Sequence, residues 1–147
     1  MLKILIVGLG SIGRRHLMSL QKFGEVIEIA SLRTYKGILT DNLGIQQFFT
    51  LEDALKFNPD GVIISNPTSL HVQTALPFLE NNIKVLIEKP VSNSILESKL
   101  LNPYDHNVRI AYAMRFHPLN KIIYSIIKNE DVFKVGFKRS YYLPKWH

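Results

Sequence analysis

The chain has 147 residues, 46% of them apolar and 20% charged, which suits one soluble domain with a real core and excludes two full ones. It has no cysteine, which rules out disulfides and thiolate metal sites and points to a reducing compartment, read here as the cytoplasm. The net charge of +6 is uneven, with 7 basic and 6 acidic residues in 1–75 against 11 and 6 in 76–147; the basic residues are scattered and form no stripe, so nucleic acid is not read as a partner.

No apolar run reaches membrane-spanning length, and Lys3 leads into a run that ends at a glycine turn, unlike a signal peptide. That run, Leu2 to Val7, is almost unbroken in apolar residues, the pattern of a strand covered on both faces of a parallel sheet. Gly8-Leu9-Gly10-Ser11-Ile12-Gly13 follows directly, and a helical pattern opens after it. Glycines at this spacing, between strand and helix, are the dinucleotide-binding fingerprint. Gly8 permits the tight turn, Gly10 lets a diphosphate approach the backbone, and Gly13 lets the helix pack on the strand. The free N–H groups of the first helical turn then face the anion. An ordinary strand-to-helix turn would leave the three spaced glycines without a purpose.

A helix is expected from Ile12 to Phe23, ending near Gly24. Arg14 and Arg15 fall in its first turn, where the helix dipole disfavours cations unless an anion is bound; two solvated arginines are the alternative. Val26 to Ser31 reads as the second strand. An acidic residue about 20 positions past the glycines would accept from the ribose 2′-hydroxyl of NAD. Arg33 stands there instead, and no carboxylate lies between Ser31 and Thr40. A guanidinium suits a 2′-phosphate, with Ser31 and Thr34 as further donors, so NADP is favoured over NAD. An Arg33 that merely stacks on adenine would leave both cofactors acceptable.

Gln46 to Phe49 is a short third strand, and Thr50 caps a helix reaching Phe57. After the turn Asn58–Gly61, Val62 to Ser65 forms the fourth strand. Its following loop, Asn66-Pro67-Thr68-Ser69, lies beside the topological switch point, where ligands bind in such sheets. His71 opens the next helix, either bonded to nearby backbone or touching the cofactor; Pro77 bends that helix. Lys84 to Ile87 is the fifth strand and delivers Glu88-Lys89-Pro90 to the same edge. Partial desolvation there would bring the Lys89 ammonium toward a useful acid–base range; a surface Glu-Lys pair is the alternative. A short helix is expected from Ser92 to Leu101, a sixth strand from Arg109 to Met114, and a helix opened by Pro118 that runs to Lys128. Phe133 to Leu143 alternates like a strand. The five histidines show no i, i+4 pairing with a carboxylate, so no metal site is read. The fold class is therefore α/β, a doubly wound parallel sheet of the Rossmann type.

Four pieces carry a family likeness: GLGSIGRRH (Gly8–His16), NPTSLH (Asn66–His71), IEKPVS (Ile87–Ser92) and AYAMRFHP (Ala111–Pro118). In this order they resemble the N-terminal part of the Gfo/Idh/MocA oxidoreductases, named after glucose–fructose oxidoreductase and inositol dehydrogenase. The resemblance implies hydride transfer between nicotinamide C4 and a carbon bearing a hydroxyl or carbonyl on a sugar, nucleotide sugar or cyclitol. It implies that Lys89 is catalytic, beside the nicotinamide ribose, with a cis bond to Pro90. Gly8, Leu9, Gly10, Ser11, Ile12, Gly13, Arg33, Ser65, Asn66, Pro67, Thr68, His71, Glu88, Lys89 and Arg115 are the expected cofactor-binding residues.

By the same resemblance, residues 1–117 form the nucleotide domain, and 118–147 form a linker helix and the first strand of a substrate and dimerisation domain that is otherwise missing. That domain supplies the family's Asp and His and its homodimer or tetramer contacts, and no residue here matches the catalytic His. The ending YYLPKW resembles a subgroup linked to nucleotide-sugar and surface-glycan synthesis. A fragment or interrupted reading frame is the expectation, and a non-catalytic nucleotide-binding fragment is the alternative function. General acid–base groups typically supply about 10²–10⁴-fold in rate, so a chain without its partner base would be severely impaired.

Overall fold

The computed structural model describes residues 1–33, 43–129, 131, 134 and 136. The chain divides into two compact units, Met1–Tyr112 and Ala113–His147.

The first unit is built on six parallel strands: β1 (Leu2–Val7), β2 (Ile27–Leu32), β3 (Gln46–Phe48), β4 (Gly61–Ile64), β5 (Lys84–Ile87) and β6 (Val108–Ile110), in the spatial order β3-β2-β1-β4-β5-β6. The order reverses between β1 and β4, which opens a crevice at their carboxyl ends. Among the described residues the strands are connected by the helices α1 (Ser11–Leu20), α2 (Leu51–Lys56), α3 (His71–Glu80) and α4 (Ile95–Lys99). The apolar runs of β1, β4 and β5 reflect burial on both faces. One face carries Leu5, Val7, Val62, Ile64, Val85 and Ile87 against Ala75, Phe78 and Leu79 of α3. The other packs Ile6 and Ile63 against Leu9 and Leu17. Each fully buried aliphatic side chain contributes roughly 1.5–3 kcal/mol.

The expected helix from Ile12 to Phe23 ends as α-helix at Leu20. A 3₁₀ segment, Gln21–Val26, follows, broken by Gly24 at φ +64°. Thr50 caps α2, accepting from the Asp53 amide at 3.1 Å. The helix expected from Ser92 begins only at Ile95, because Ser94 is the cap and accepts from the Glu97 amide. The sixth strand is shorter than expected. After Ala111 donates to Ile87 O at 2.8 Å the ladder ends, and Ala113–Phe116 is a 3₁₀ turn.

In the second unit, α5 (Pro118–Ile127) starts with Pro118 in its first turn, and the His117 ring accepts from the Leu119 amide at 3.2 Å. The strand expected from Phe133 to Leu143 falls almost wholly outside the described residues.

Candidate cofactor site

Interstrand hydrogen bonds continue one residue past the strand ends. Gly8 N donates to Leu32 O, Ser65 N to Val7 O, Glu88 N to Ile64 O and Arg33 N to Phe48 O, all at 2.9–3.1 Å. The residues that open each loop are thus fixed at one level of the sheet before the chain turns away.

The loops after β1 and β4 touch. Gly8 has φ +86°, and a Cβ there would stand 2.8 Å from the Asn66 backbone nitrogen. Ser65 Oγ shares its proton between Gly8 O at 2.8 Å and Val7 O at 3.0 Å, binding the two loops together. Gly10 is the N-cap of α1; among the described residues nothing lies within 4 Å of where its Cβ would be. Among the described residues no side chain caps α1, and its first turn holds no acidic residue. The Arg14 side chain folds back, its Nε donating to Leu9 O at 3.2 Å.

Beside this helix start lies a cavity of about 560 Å³ walled by Gly8, Leu9, Gly10, Arg33 and the Ser65-Asn66-Pro67 segment. Arg33 Nη1 donates to Gln47 Oε1 at 3.4 Å. Thr34 is outside the described residues. Ser31 is fully buried, with no hydrogen-bond partner for its hydroxyl among the described residues.

Across the same Ser65–Pro67 wall a second cavity, of about 280 Å³, is lined by Ile12, Thr68, His71, Glu88 and Lys89. Lys89 is exposed here, and among the described residues its ammonium has no ion pair. The Lys89–Pro90 peptide is cis. His71 is 2% exposed, with Nδ1 at 2.9 Å from Pro90 O and Nε2 at 2.8 Å from Asn66 O. Both partners are carbonyls, so the ring donates to both only when each nitrogen carries a proton. Asn66 Nδ2 donates to Thr74 Oγ1 at 2.8 Å, while its buried Oδ1 has no partner among the described residues.

Arg115 belongs to the second unit, exposed in the 3₁₀ turn Ala113–Phe116. Among the described residues no cluster of His, Asp or Glu could hold a metal ion, and no helix is long and apolar enough to cross a membrane.

The family profile described as "Oxidoreductase family, NAD-binding Rossmann fold" matches residues 2–102. The chain belongs to the Gfo/Idh/MocA family. Among curated relatives, inositol 2-dehydrogenase of Corynebacterium glutamicum is 28% identical over 95% of this chain and 46% of its own length. Glucose-6-phosphate 3-dehydrogenase of Bacillus subtilis is 25% identical over 95% of this chain and 43% of its own. The chain spans about half the length of the curated relatives it matches. The WlbA dehydrogenase of Chromobacterium violaceum, solved in complex with NADH and UDP-GlcNAcA, superposes with a TM-score of 0.74 at 19% identity, covering 86% of this chain and 39% of that one. That likeness shows the shared fold.

The cradle fits a dinucleotide. The uncapped helix start, the space at Gly10 and the two cavities that share the Ser65–Pro67 wall present donors and room for a diphosphate between two nucleosides. His16 is the site-edge residue that sequence reasoning passed over. It lies inside the GLGSIGRRH motif, but its partner Glu88 is 72 residues away.

Proposed function

We propose that this chain is the nucleotide-binding half of an NADP-dependent oxidoreductase, with NAD also accepted, acting on a hydroxyl or carbonyl carbon of a sugar, nucleotide sugar or cyclitol. The observation that carries this reading is the convergence on one sheet edge of the uncapped α1 start and Lys89 at the end of β5. When bound, the nicotinamide supplies or accepts a hydride at C4. The amides that open α1 hold the diphosphate, Arg33 meets the 2′-phosphate, and Asn66, Pro67 and Thr68 flank the nicotinamide half. Lys89 polarises the substrate oxygen with its ammonium.

The relatives' names support the substrate class, since they include cyclitol and sugar-phosphate dehydrogenases. Residues 1–117 are assigned to the nucleotide domain and 118–147 to a linker helix and the opening strand of a substrate domain. Subunit pairing through such a domain, as homodimer or tetramer, and a cytoplasmic location belong to the same reading.

A second reading, nucleotide binding without turnover, is favoured by one observation. Among the described residues, the other acid–base side chains lining the Lys89 cavity are His71 and Glu88, and both are engaged in structural hydrogen bonds.

The test is a fluorescence titration of the chain with NADPH and NADH, followed by a hydride-transfer assay on myo-inositol and UDP-sugars. Saturable binding with turnover lost in Lys89→Ala supports the first reading. Saturable binding without turnover supports the second, and no binding overturns both.

A further inference from the structure

Glu88 is a buried carboxylate, 8% exposed, next to the lysine on which the proposed chemistry depends. Both of its oxygens are occupied. Oε1 accepts from Nε2 of His16 at 2.8 Å, and Oε2 accepts from the backbone N–H of Lys89 at 3.2 Å. His16 lies on α1, three residues past Gly13, so the contact joins the helix that faces the diphosphate to the turn that carries the lysine. A carboxylate can be kept in so dry a place only when hydrogen-bonded, and here one bond comes from His16 and one from Lys89.

We propose that His16 is a positioning residue for Lys89, acting through Glu88; this rests on the reading of Lys89 as the group at the nicotinamide end. The Lys89 side chain has no described partner of its own, so where its backbone is held sets the region its ammonium can reach. With His16 in place, the Glu88 carboxylate points inward and grips the Lys89 amide. Without that bond the carboxylate turns toward water and releases the amide, and the ammonium is no longer held against the nicotinamide ribose.

The experiment compares NADH and ADP affinities by calorimetry for the full chain and four variants: His16→Leu, His16→Gln, Lys89→Met and the His16→Leu/Lys89→Met double. ADP reaches the helix start but not the nicotinamide end, so it reports whether the fold and the diphosphate cradle are intact. Gln places an amide nitrogen near the position of His Nε2 and can still donate to Glu88. The expected result is an NADH affinity about tenfold weaker in His16→Leu, the scale of one lost hydrogen bond to a charged group. ADP affinity stays within about twofold, His16→Gln restores NADH binding, and the double variant is no worse than Lys89→Met alone.

Equal losses of NADH and ADP in His16→Leu, no loss of NADH, or no rescue by Gln overturns the role of His16. If Lys89→Met leaves NADH affinity unchanged, the reading of Lys89 itself falls, and the His16 proposal falls with it. A loss in Lys89→Met without one in His16→Leu removes only the His16 proposal.

Discussion

Gly13 packs so closely on Gly8 that a Cβ at Gly13 would lie 2.0 Å from the Gly8 carbonyl oxygen and 2.8 Å from Ser65 Oγ. The helix that faces the ligand and the loop that precedes it are in direct backbone contact, and Ser65, just past β4, is bonded through its hydroxyl to the end of β1 and to that loop. Gly13→Ala forces these backbones apart and is expected to destabilise the fold by about 3 kcal/mol, read as a lowered urea midpoint.

Gly10 is the complementary case. No described residue comes within 4 Å of the position of its Cβ, so Gly10→Ala is expected to change stability by less than about 1 kcal/mol. The methyl group occupies the room a diphosphate needs, and NADPH affinity is expected to fall about tenfold or more. Calorimetric titration alongside a urea melt separates the two glycines: one variant loses the fold, the other the ligand.

Arg33 borders the larger cavity and is steadied by Gln47 on β3. Arg33→Ser is expected to weaken NADPH by about ten- to a hundredfold, the scale of charge-assisted hydrogen bonds to a phosphate, and to leave NADH within about threefold. Equal losses for the two nucleotides would assign Arg33 to adenine stacking instead.

His71 ties the loop after β4 to the turn after β5 through two carbonyl oxygens. His71→Phe removes the ring N–H that holds the two segments together. The expected cost is about 1–3 kcal/mol by urea denaturation, the scale of one lost hydrogen bond and a part-buried carbonyl left without its donor.

Much of this arrangement could be read from the chain. The run from Leu2 to Val7 ending in Gly8 and the run from Lys84 to Ile87 ending in Glu88 carry their own burial pattern, and a parallel sheet buried on both faces leaves few alternatives. Thr50 announces a helix start through a local hydrogen bond that spans three residues; Ser94 makes the same bond, but the neighbouring Ser92 is an equally good cap by residue type, and the sequence places that helix start too early. What stayed hidden depends on contacts between distant segments. Nothing near His16 signals Glu88, and nothing near His71 signals Pro90 O, because those distances are set by how α1 and α3 pack on the sheet. The sixth strand was overextended to Met114 because Tyr112 and Met114 keep an apolar pattern. In the structure both are 55% exposed, beyond the last ladder bond at Ala111.

The most direct test is a crystal structure of the chain soaked with NADPH. The account predicts the diphosphate against the amides that open α1, the 2′-phosphate at Arg33 and the nicotinamide in the cavity lined by Thr68 and Lys89. A dinucleotide bound in the reverse sense, with its nicotinamide at Arg33, or bound away from the Gly10 turn altogether, would contradict it.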